Sequence, residues 1–180
     1  IDLEMSFPQQ EQIFEVIEPL VVRLAQEAGY TVKAPFPRLT YQQAMQSYGS
    51  DKPDLRLPPF HAVEDLFQGS GLTAEGMPLV AIVIPQVGAL SRKERDELKA
   101  YGAERGLRVY DDLKRLDRDS PQAMAAVRER AGAGDEDLLL LAGWPAAPQG
   151  FRPEEAVFKA CGQLRLYAAQ KYNDRHKLLD

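Results

Sequence analysis

The sequence predicts an α+β protein built around a small mixed layer of sheet and helices. Two apolar runs of strand length, Leu79–Ile84 and Asp137–Ala142, indicate buried strands. Helical patterns with start signals alternate with them, as at Ser91, whose side chain can cap a helix together with Glu94 three residues later. Strands and helices mixed over residues 58–150 predict a sheet with helices on one face.

The first elements of the chain are a strand and a long helix. Apolar and polar side chains alternate over residues 1–7, which is the period of a half-buried strand. Over residues 9–29 apolar side chains recur at spacings of three and four residues, which is typical of an amphipathic helix. We expect Pro19 to kink this helix, since proline removes a backbone donor, and Gly29 to end it.

A proline-containing connector and a short capped helix follow. The prolines within residues 34–38 favour an extended connector. Thr40 can cap a helix over residues 41–48, with Gln43 at the position that completes a capping box. Gly49 is expected to end that helix.

Further elements are predicted in the middle and at the end of the chain. In chain order they are an extended link at 57–61, a short helix at 63–68, a helix at 91–105, a strand at 107–110, a helix from 121 to 132 and a helix at 154–172. Residues 143–152 contain glycine and proline breaks and are expected to form a loop.

Composition and charge exclude several classes of protein. The net charge of −5 argues against a nonspecific nucleic-acid binder, which needs a basic surface. The single cysteine, Cys161, excludes an intrachain disulfide and fits a reducing cytoplasm. No apolar run is long enough to span a membrane, and no signal peptide is recognisable. Because the chain begins with Ile1 instead of methionine, we expect it to be part of a longer protein, called the parent protein below.

One string of residues is more specific than any periodicity. From Tyr48 to Arg56 the chain reads Tyr-Gly-Ser-Asp-Lys-Pro-Asp-Leu-Arg, and residues 36–41 before it read Phe-Pro-Arg-Leu-Thr-Tyr. Together with residues 1–7 and the string Ala-Cys-Gly-Gln-Leu-Arg at 160–165, this resembles the middle of a bacterial-type aspartyl-tRNA synthetase.

The resemblance implies three parts in the chain. Residues 1–57 and 151–180 resemble segments of the class II catalytic domain, which is built on an antiparallel sheet. Residues 58–150 resemble the GAD domain that is inserted into it. The likeness is weaker inside the insertion, where the predicted strand at 107–110 leads at once into a charged stretch at 111–119.

Asp2 and Glu4 are the first candidate site residues. Positions two apart on a strand point to the same face, roughly 7 Å apart. Two such carboxylates could bind an ammonium group, orient a lysine or arginine, or hold a metal, and they could equally form a solvated strand face. The resemblance implies that they belong to the aspartate-binding pocket, with Asp2 as the stronger candidate of the two.

The loop after Gly49 is the second candidate. By resemblance its residues Ser50, Asp51 and Lys52 could contact the acceptor end of tRNA or the substrate pocket. The alternative is that the charged side chains of residues 51–56 only pair among themselves and join two domains.

Other side chains that could carry chemistry have simpler explanations. His61 and His176 lack metal-ligand neighbours at a useful spacing, so we expect each to be an ordinary surface or packed histidine. Cys161 lies on the apolar stripe of a helix and Trp144 lies in a Gly-Trp-Pro turn, and both are expected to pack within the protein. We predict no metal site in the chain.

By resemblance, the parent protein activates aspartate with ATP and Mg2+ and transfers it to the 3′ end of tRNA. No catalytic residue and no ATP site is recognisable in the chain, so the chain alone is expected to be inactive and to bind no cofactor. We expect the parent to be a cytoplasmic homodimer that does not bind membranes. Two alternatives remain open: a GAD-type module that binds tRNA or protein without catalysis, and a synthetase paralogue that has lost its activity.

Overall fold

The computed structural model describes residues 2–146, 149–150 and 152–180. The chain separates into two compact units, Ile1–Leu39 and Thr40–Asp180.

The first unit contains one helix, α1 (Gln10–Glu27), which confirms the helix predicted over 9–29. The helix continues through Pro19, and Gly29 follows its end in a left-handed conformation with φ 83°. The apolar side chains that predicted the helix remain partly exposed in this chain. Among them are Ile13, Leu20, Val21 and Leu24.

The strand predicted over residues 1–7 is wrong for the described residues 2–7, which form no strand. A strand requires hydrogen bonds to a neighbouring backbone, and no described segment of the chain pairs with these residues. Phe7 has φ 49°, a left-handed conformation, so an extended backbone cannot continue through this residue. Alternating polarity alone was therefore not sufficient to form a strand.

The connector after α1 folds back onto the helix instead of extending away from it. Glu18 is buried in α1, where its carboxylate accepts hydrogen bonds from Arg38 Nη1 and, at 3.3 Å, from the Phe36 amide. The Arg38 guanidinium also lies 3.7 Å from the centre of the Phe14 ring. A buried carboxylate needs such partners, and they explain why an acidic residue tolerates burial in the middle of α1.

The second unit is a four-stranded antiparallel sheet with six helices and one 3-10 helix in the described residues. In chain order its elements are α2 (Tyr41–Tyr48), β1 (His61–Ala62), the 3-10 helix (Glu64–Phe67), β2 (Val80–Ile84), α3 (Arg92–Ala103), β3 (Arg108–Tyr110), α4 (Lys114–Asp119), α5 (Pro121–Ala131), β4 (Leu138–Gly143), α6 (Pro153–Lys171) and α7 (Asn173–His176). The strand order is β1-β2-β4-β3, and the central pair is aligned so that Ile82 lies opposite Leu140.

Helices cover both faces of the sheet, which corrects the prediction of helices on one face. Ile82 and Leu140 belong to a core formed with α3 and α6, whereas Val83 belongs to a second core with α5 and the 3-10 helix. All five residues of β2 are buried. Successive residues of a strand point to opposite faces of the sheet, so a strand that is apolar at every position must be buried on both faces. The run Leu79–Ile84 has this composition, and it therefore already indicated helices on both faces.

The other predicted helices and strands of this unit are confirmed within a few residues at their ends. Sequence reasoning missed three short elements, β1, α4 and α7. Two packing predictions are confirmed. Cys161 is fully buried in the core, and the Trp144 ring lies so close to Gly106 that a Cβ there would come within 2.3 Å of it.

The predicted boundaries at 57/58 and 150/151 stay a prediction. Helix α6, which was assigned to the catalytic domain, packs on the same face of the sheet as α3. None of the helices in the described part of the chain is long and apolar enough to cross a bilayer.

Candidate functional site

The candidate site is the loop of residues 49–56, which leaves the end of α2 and lies against α6. Helix α2 has the predicted capping box, in which the Gln43 amide donates to Thr40 Oγ1 at 3.1 Å and the Thr40 amide donates to Gln43 Oε1 at 2.9 Å. Gly49 ends the helix in the left-handed region with φ 66°, and its amide donates to the Met45 carbonyl. The start of the loop is therefore fixed by local signals that the sequence displays.

A backbone-to-backbone contact places this start on α6. A Cβ built on Gly49 would lie 2.0 Å from the Phe158 carbonyl oxygen, and one built on Gly162 would lie 2.4 Å from the Tyr48 carbonyl oxygen. Only residues without a side chain allow two backbones to approach this closely. The two glycines thus hold the end of α2 against the middle of α6.

Arg165 of α6 binds the residues that follow the loop. Its side chain is buried, and Nη1 donates to the carbonyl oxygens of Pro58 at 2.7 Å and of Leu57 at 3.4 Å. The guanidinium lies 5.0 Å from the centre of the Tyr48 ring. Burial lowers the pKa of Arg165, while Tyr48 and Asp54 oppose that effect. A buried cation is retained because carbonyl groups and an aromatic face replace part of its hydration.

The last residues of the loop form an ion pair that extends to another segment. Arg56 donates from Nη2 to Asp54 Oδ2 at 2.8 Å and from Nε to Asp54 Oδ1 at 3.0 Å. Its Nη1 donates to the Leu179 carbonyl at 2.9 Å. The hydrogen bond from Arg56 lowers the pKa of the Asp54 carboxyl.

The middle of the loop is presented to solvent. Ser50 Oγ accepts a hydrogen bond from the Lys52 amide at 3.1 Å, which forms a tight local turn. The Asp51 and Lys52 side chains are exposed and make no hydrogen bond or ion pair to another described residue. A cavity of about 430 Å³ lies between this turn and α6, and Lys159 is among the residues that line it.

The two interpretations of the charged loop each describe one part of it. Asp54 and Arg56 pair with each other and join two segments, as the structural alternative predicts. Asp51 and Lys52 do not take part in that pairing within the described residues. Both side chains are exposed to solvent.

A larger cavity, of about 880 Å³, lies under residues 67–79. Glu64, Glu75 and Glu154 lie along it, and none of its described lining residues is basic. A cavity with this charge is unsuited to a phosphate-bearing substrate. The cavity beside the loop has three basic residues (Lys52, Lys159 and Arg165) and two acidic ones (Asp51 and Asp54) in its lining, so it is the better candidate.

A hydrogen-bonded cluster joins α2 to α6 beside the loop. The Tyr41 hydroxyl donates to Glu155 Oε1 at 2.8 Å, and Lys159 Nζ lies 2.7 Å from the same carboxylate oxygen. Lys159 and then Tyr41 lower the pKa of Glu155 to about 2, and Arg152 adds to this effect. The cluster fixes the orientation of Lys159 at the edge of the cavity.

The pH dependence of stability tests this cluster. The pKa of Glu155 in the folded chain lies below its ordinary value of 4.5. The ionised Glu155 therefore adds its full share to the free energy of unfolding above pH 4.5, and this share is lost as the pH falls towards 2. We expect the free energy of unfolding to fall more steeply between about pH 5 and pH 2 in the wild-type chain than in Glu155→Gln. Urea denaturation at a series of pH values measures both slopes. Parallel slopes would show that the carboxyl titrates normally.

Asp2 and Glu4 are exposed in the first unit, and neither side chain makes an ion pair within the described residues. The structure does not bring them into a site. Their role in an aspartate pocket stays a prediction.

The histidines are consistent with structural roles, and no metal cluster is present in the described residues. His176 is buried, with Nε2 2.9 Å from the Ala169 carbonyl oxygen and Nδ1 accepting from the Leu178 amide at 3.0 Å. His61 is partly buried, and burial, together with the charge of Arg130, lowers its pKa. No group of three or more His, Cys, Asp or Glu side chains in the described ranges could hold a metal ion.

Comparison with known proteins gives the family. The model of the tRNA synthetases class II (D, K and N) matches residues 1–163. The chain belongs to the class II tRNA synthetases. Residues 1–163 include the loop, its two glycines and the turn at Ser50–Lys52, so the candidate site lies within the matched region.

The relatives of this class II synthetase chain confirm the resemblance to aspartyl-tRNA synthetases. An aspartate–tRNA(Asp/Asn) ligase of Acidobacterium capsulatum is 39% identical over 200 residues, covering 100% of the chain and 32% of the relative. An aspartate–tRNA ligase of Streptomyces avermitilis is 41% identical over 181 residues, covering 95% of the chain and 30% of the relative. The chain therefore spans about a third of the length of these relatives.

Proposed function

We propose that the parent protein is an aspartate–tRNA ligase, which joins aspartate to the 3′ end of tRNA after activating it with ATP. The observation that carries the proposal is the 39% identity with such a ligase over the full length of the chain. Activation is an attack of the aspartate carboxylate on the α-phosphate of ATP. Such a reaction depends on positioning and on neutralising charge, without a protein nucleophile.

In this proposal the chain contributes binding residues and a scaffold. Asp2, and less strongly Glu4, belong to the aspartate pocket, where a carboxylate can hold the substrate ammonium group or orient a cationic side chain. The turn at Ser50–Lys52 contacts the acceptor end of tRNA. Its support is the exposed ammonium group of Lys52, which has no ion-pair partner among the described residues and lies beside a cavity that is also lined by Lys159 and Arg165.

Residues 58–150 are proposed to be the GAD-like insertion. Their support is the small antiparallel sheet with helices, set between segments that carry the synthetase-like strings. ATP and Mg2+ are assigned to the remainder of the parent, because the described residues hold no cluster suited to a metal ion. The parent is proposed to be a cytoplasmic homodimer.

Aspartate-dependent exchange of pyrophosphate into ATP tests the proposal. The 180-residue chain and the full-length parent are assayed side by side. We expect exchange only in the parent, because the sequence of the chain shows one part of the proposed pocket and no recognisable ATP site. Exchange in neither protein would contradict the ligase function and favour a binding module or an inactive paralogue.

A further inference from the structure

We propose that Arg56 is a positioning residue that holds the turn at Ser50–Lys52 in place for contact with tRNA. The inference rests on the proposed function, which assigns that turn to the acceptor end. Arg56 is not proposed to touch the substrate itself. It acts through the loop that precedes it.

The first support is the isolation of the loop from other segments. Within the described residues, no backbone hydrogen bond joins residues 51–56 to another part of the chain. Their side chains provide one long-range hydrogen bond, from Arg56 Nη1 to the Leu179 carbonyl at 2.9 Å. Within the described residues, the hydrogen bonds that hold residues 53–56 therefore come from Asp54 and Arg56, since the hydrogen bonds of Arg165 reach Leu57 and Pro58 and its attraction to Asp54 is electrostatic only.

The second support is that the acceptor of this hydrogen bond is itself fixed. The Leu179 amide donates to Asn173 Oδ1 at 3.0 Å, and the Leu178 amide donates to His176 Nδ1 at the same distance. The side chains of Leu178 and Leu179 are partly buried against the core of α6. Arg56 thus connects a loop that has few hydrogen bonds to other segments with residues 178–179, which are held by several contacts.

The third support is the geometry of the guanidinium. Two of its nitrogens bind both oxygens of Asp54, and the third remains free to reach Leu179. The Arg56 side chain is exposed and the Asp54 side chain is half-buried, and an ion pair near the surface contributes little stability. A lysine has no planar fork, so it cannot hold the carboxylate in two places and reach the carbonyl in the same way. The hydrogen bonds of Arg56 therefore serve to orient the loop and add little to the stability of the fold.

The experiment compares Arg56→Ala and Arg56→Lys with the wild-type parent protein. We expect Arg56→Ala to raise the KM for tRNA in aminoacylation about tenfold, while aspartate-dependent ATP–pyrophosphate exchange stays within about twofold. Arg56→Lys should fall between Arg56→Ala and the wild type. Urea denaturation of each variant shows whether the fold is retained.

Arg130→Ala is the matched control. Arg130 also binds an aspartate through two nitrogens, reaching Asp65 at 2.6 and 2.8 Å, and it donates to the Ala62 carbonyl at 3.0 Å. It makes the same kinds of bond on α5, outside the loop. We expect the KM for tRNA of the Arg130→Ala variant to equal that of the wild-type parent protein.

Two results would overturn the inference: an unchanged KM for tRNA in Arg56→Ala, or an equal rise in Arg56→Ala and Arg130→Ala. Failure of the wild-type parent to charge tRNA at all would instead contradict the proposed function. The two failures are therefore distinguishable in one set of assays.

Discussion

Gly49→Ala is expected to lower the free energy of unfolding by about 3–5 kcal/mol, the largest loss of stability that we predict for a single added methyl group. The new Cβ would meet the Phe158 carbonyl oxygen at 2.0 Å. That oxygen belongs to the backbone of α6, so it cannot rotate away as a side chain can. The left-handed φ of 66° adds a second cost for any L-residue. Urea denaturation of the 180-residue chain measures the loss.

Gly132→Ala separates the two costs. Gly132 ends α5 with φ 64°, nearly the same conformation, but a Cβ there would meet nothing within 4 Å. We expect a loss of only about 1–2 kcal/mol, the cost of the left-handed conformation alone. Equal losses at Gly49 and Gly132 would contradict the close contact between α2 and α6.

Gly162→Ala provides a second check of the same contact from the other side. Alanine in place of glycine inside a helix normally stabilises it by up to about 1 kcal/mol. In α6 the added Cβ would lie 2.4 Å from the Tyr48 carbonyl oxygen, so we expect destabilisation instead. The sign of the change decides whether the contact exists.

Local signals explain why much of the fold could be predicted from the sequence. The capping boxes at Thr40 and Ser91 involve residues three positions apart, and both form as expected. The apolar run of β2 is buried because its own composition demands it. Such elements depend on side chains that are neighbours along the chain, which a sequence displays directly.

Elements that depend on distant partners could not be predicted in the same way. Residues 2–7 show the alternation of a strand, but a strand forms only where another backbone accepts it. Helix α4 lies in the charged stretch that suggested no element. Its Asp117 is held by Arg128 of α5 at 2.6 Å, a pairing that the local sequence does not reveal.

The site shows the same division. The end of α2 at Gly49 was expected from the residue type alone. The contacts of Gly162 and Arg165 with this region could not be expected from residue types, because their partners lie more than one hundred residues earlier in the chain. One signal was available: both occur in the string at 160–165 that carries the family resemblance.

Asp2→Asn is expected to lower kcat/KM for aspartate in ATP–pyrophosphate exchange by at least about 200-fold in the parent protein, if Asp2 lines the aspartate pocket as proposed. Asparagine keeps the size of the side chain and removes its charge. A cation buried beside it, whether the substrate ammonium or an orienting side chain, would then lose its counterion, which typically costs about 3–5 kcal/mol. Glu4→Gln should have a smaller effect, since Glu4 is the weaker candidate.

Glu11→Gln is the control for this prediction, because Glu11 is an exposed carboxylate in the first turn of α1, in the same unit as Asp2. Removing one negative charge from that unit changes the general electrostatic field equally in Glu11→Gln and Asp2→Asn. A loss confined to Asp2→Asn therefore indicates a specific contact with the reacting aspartate or its neighbour. Equal, small effects of Asp2→Asn and Glu11→Gln would show that Asp2 is solvated in the parent as it is in this chain, and the aspartate pocket would have to be assigned to other residues.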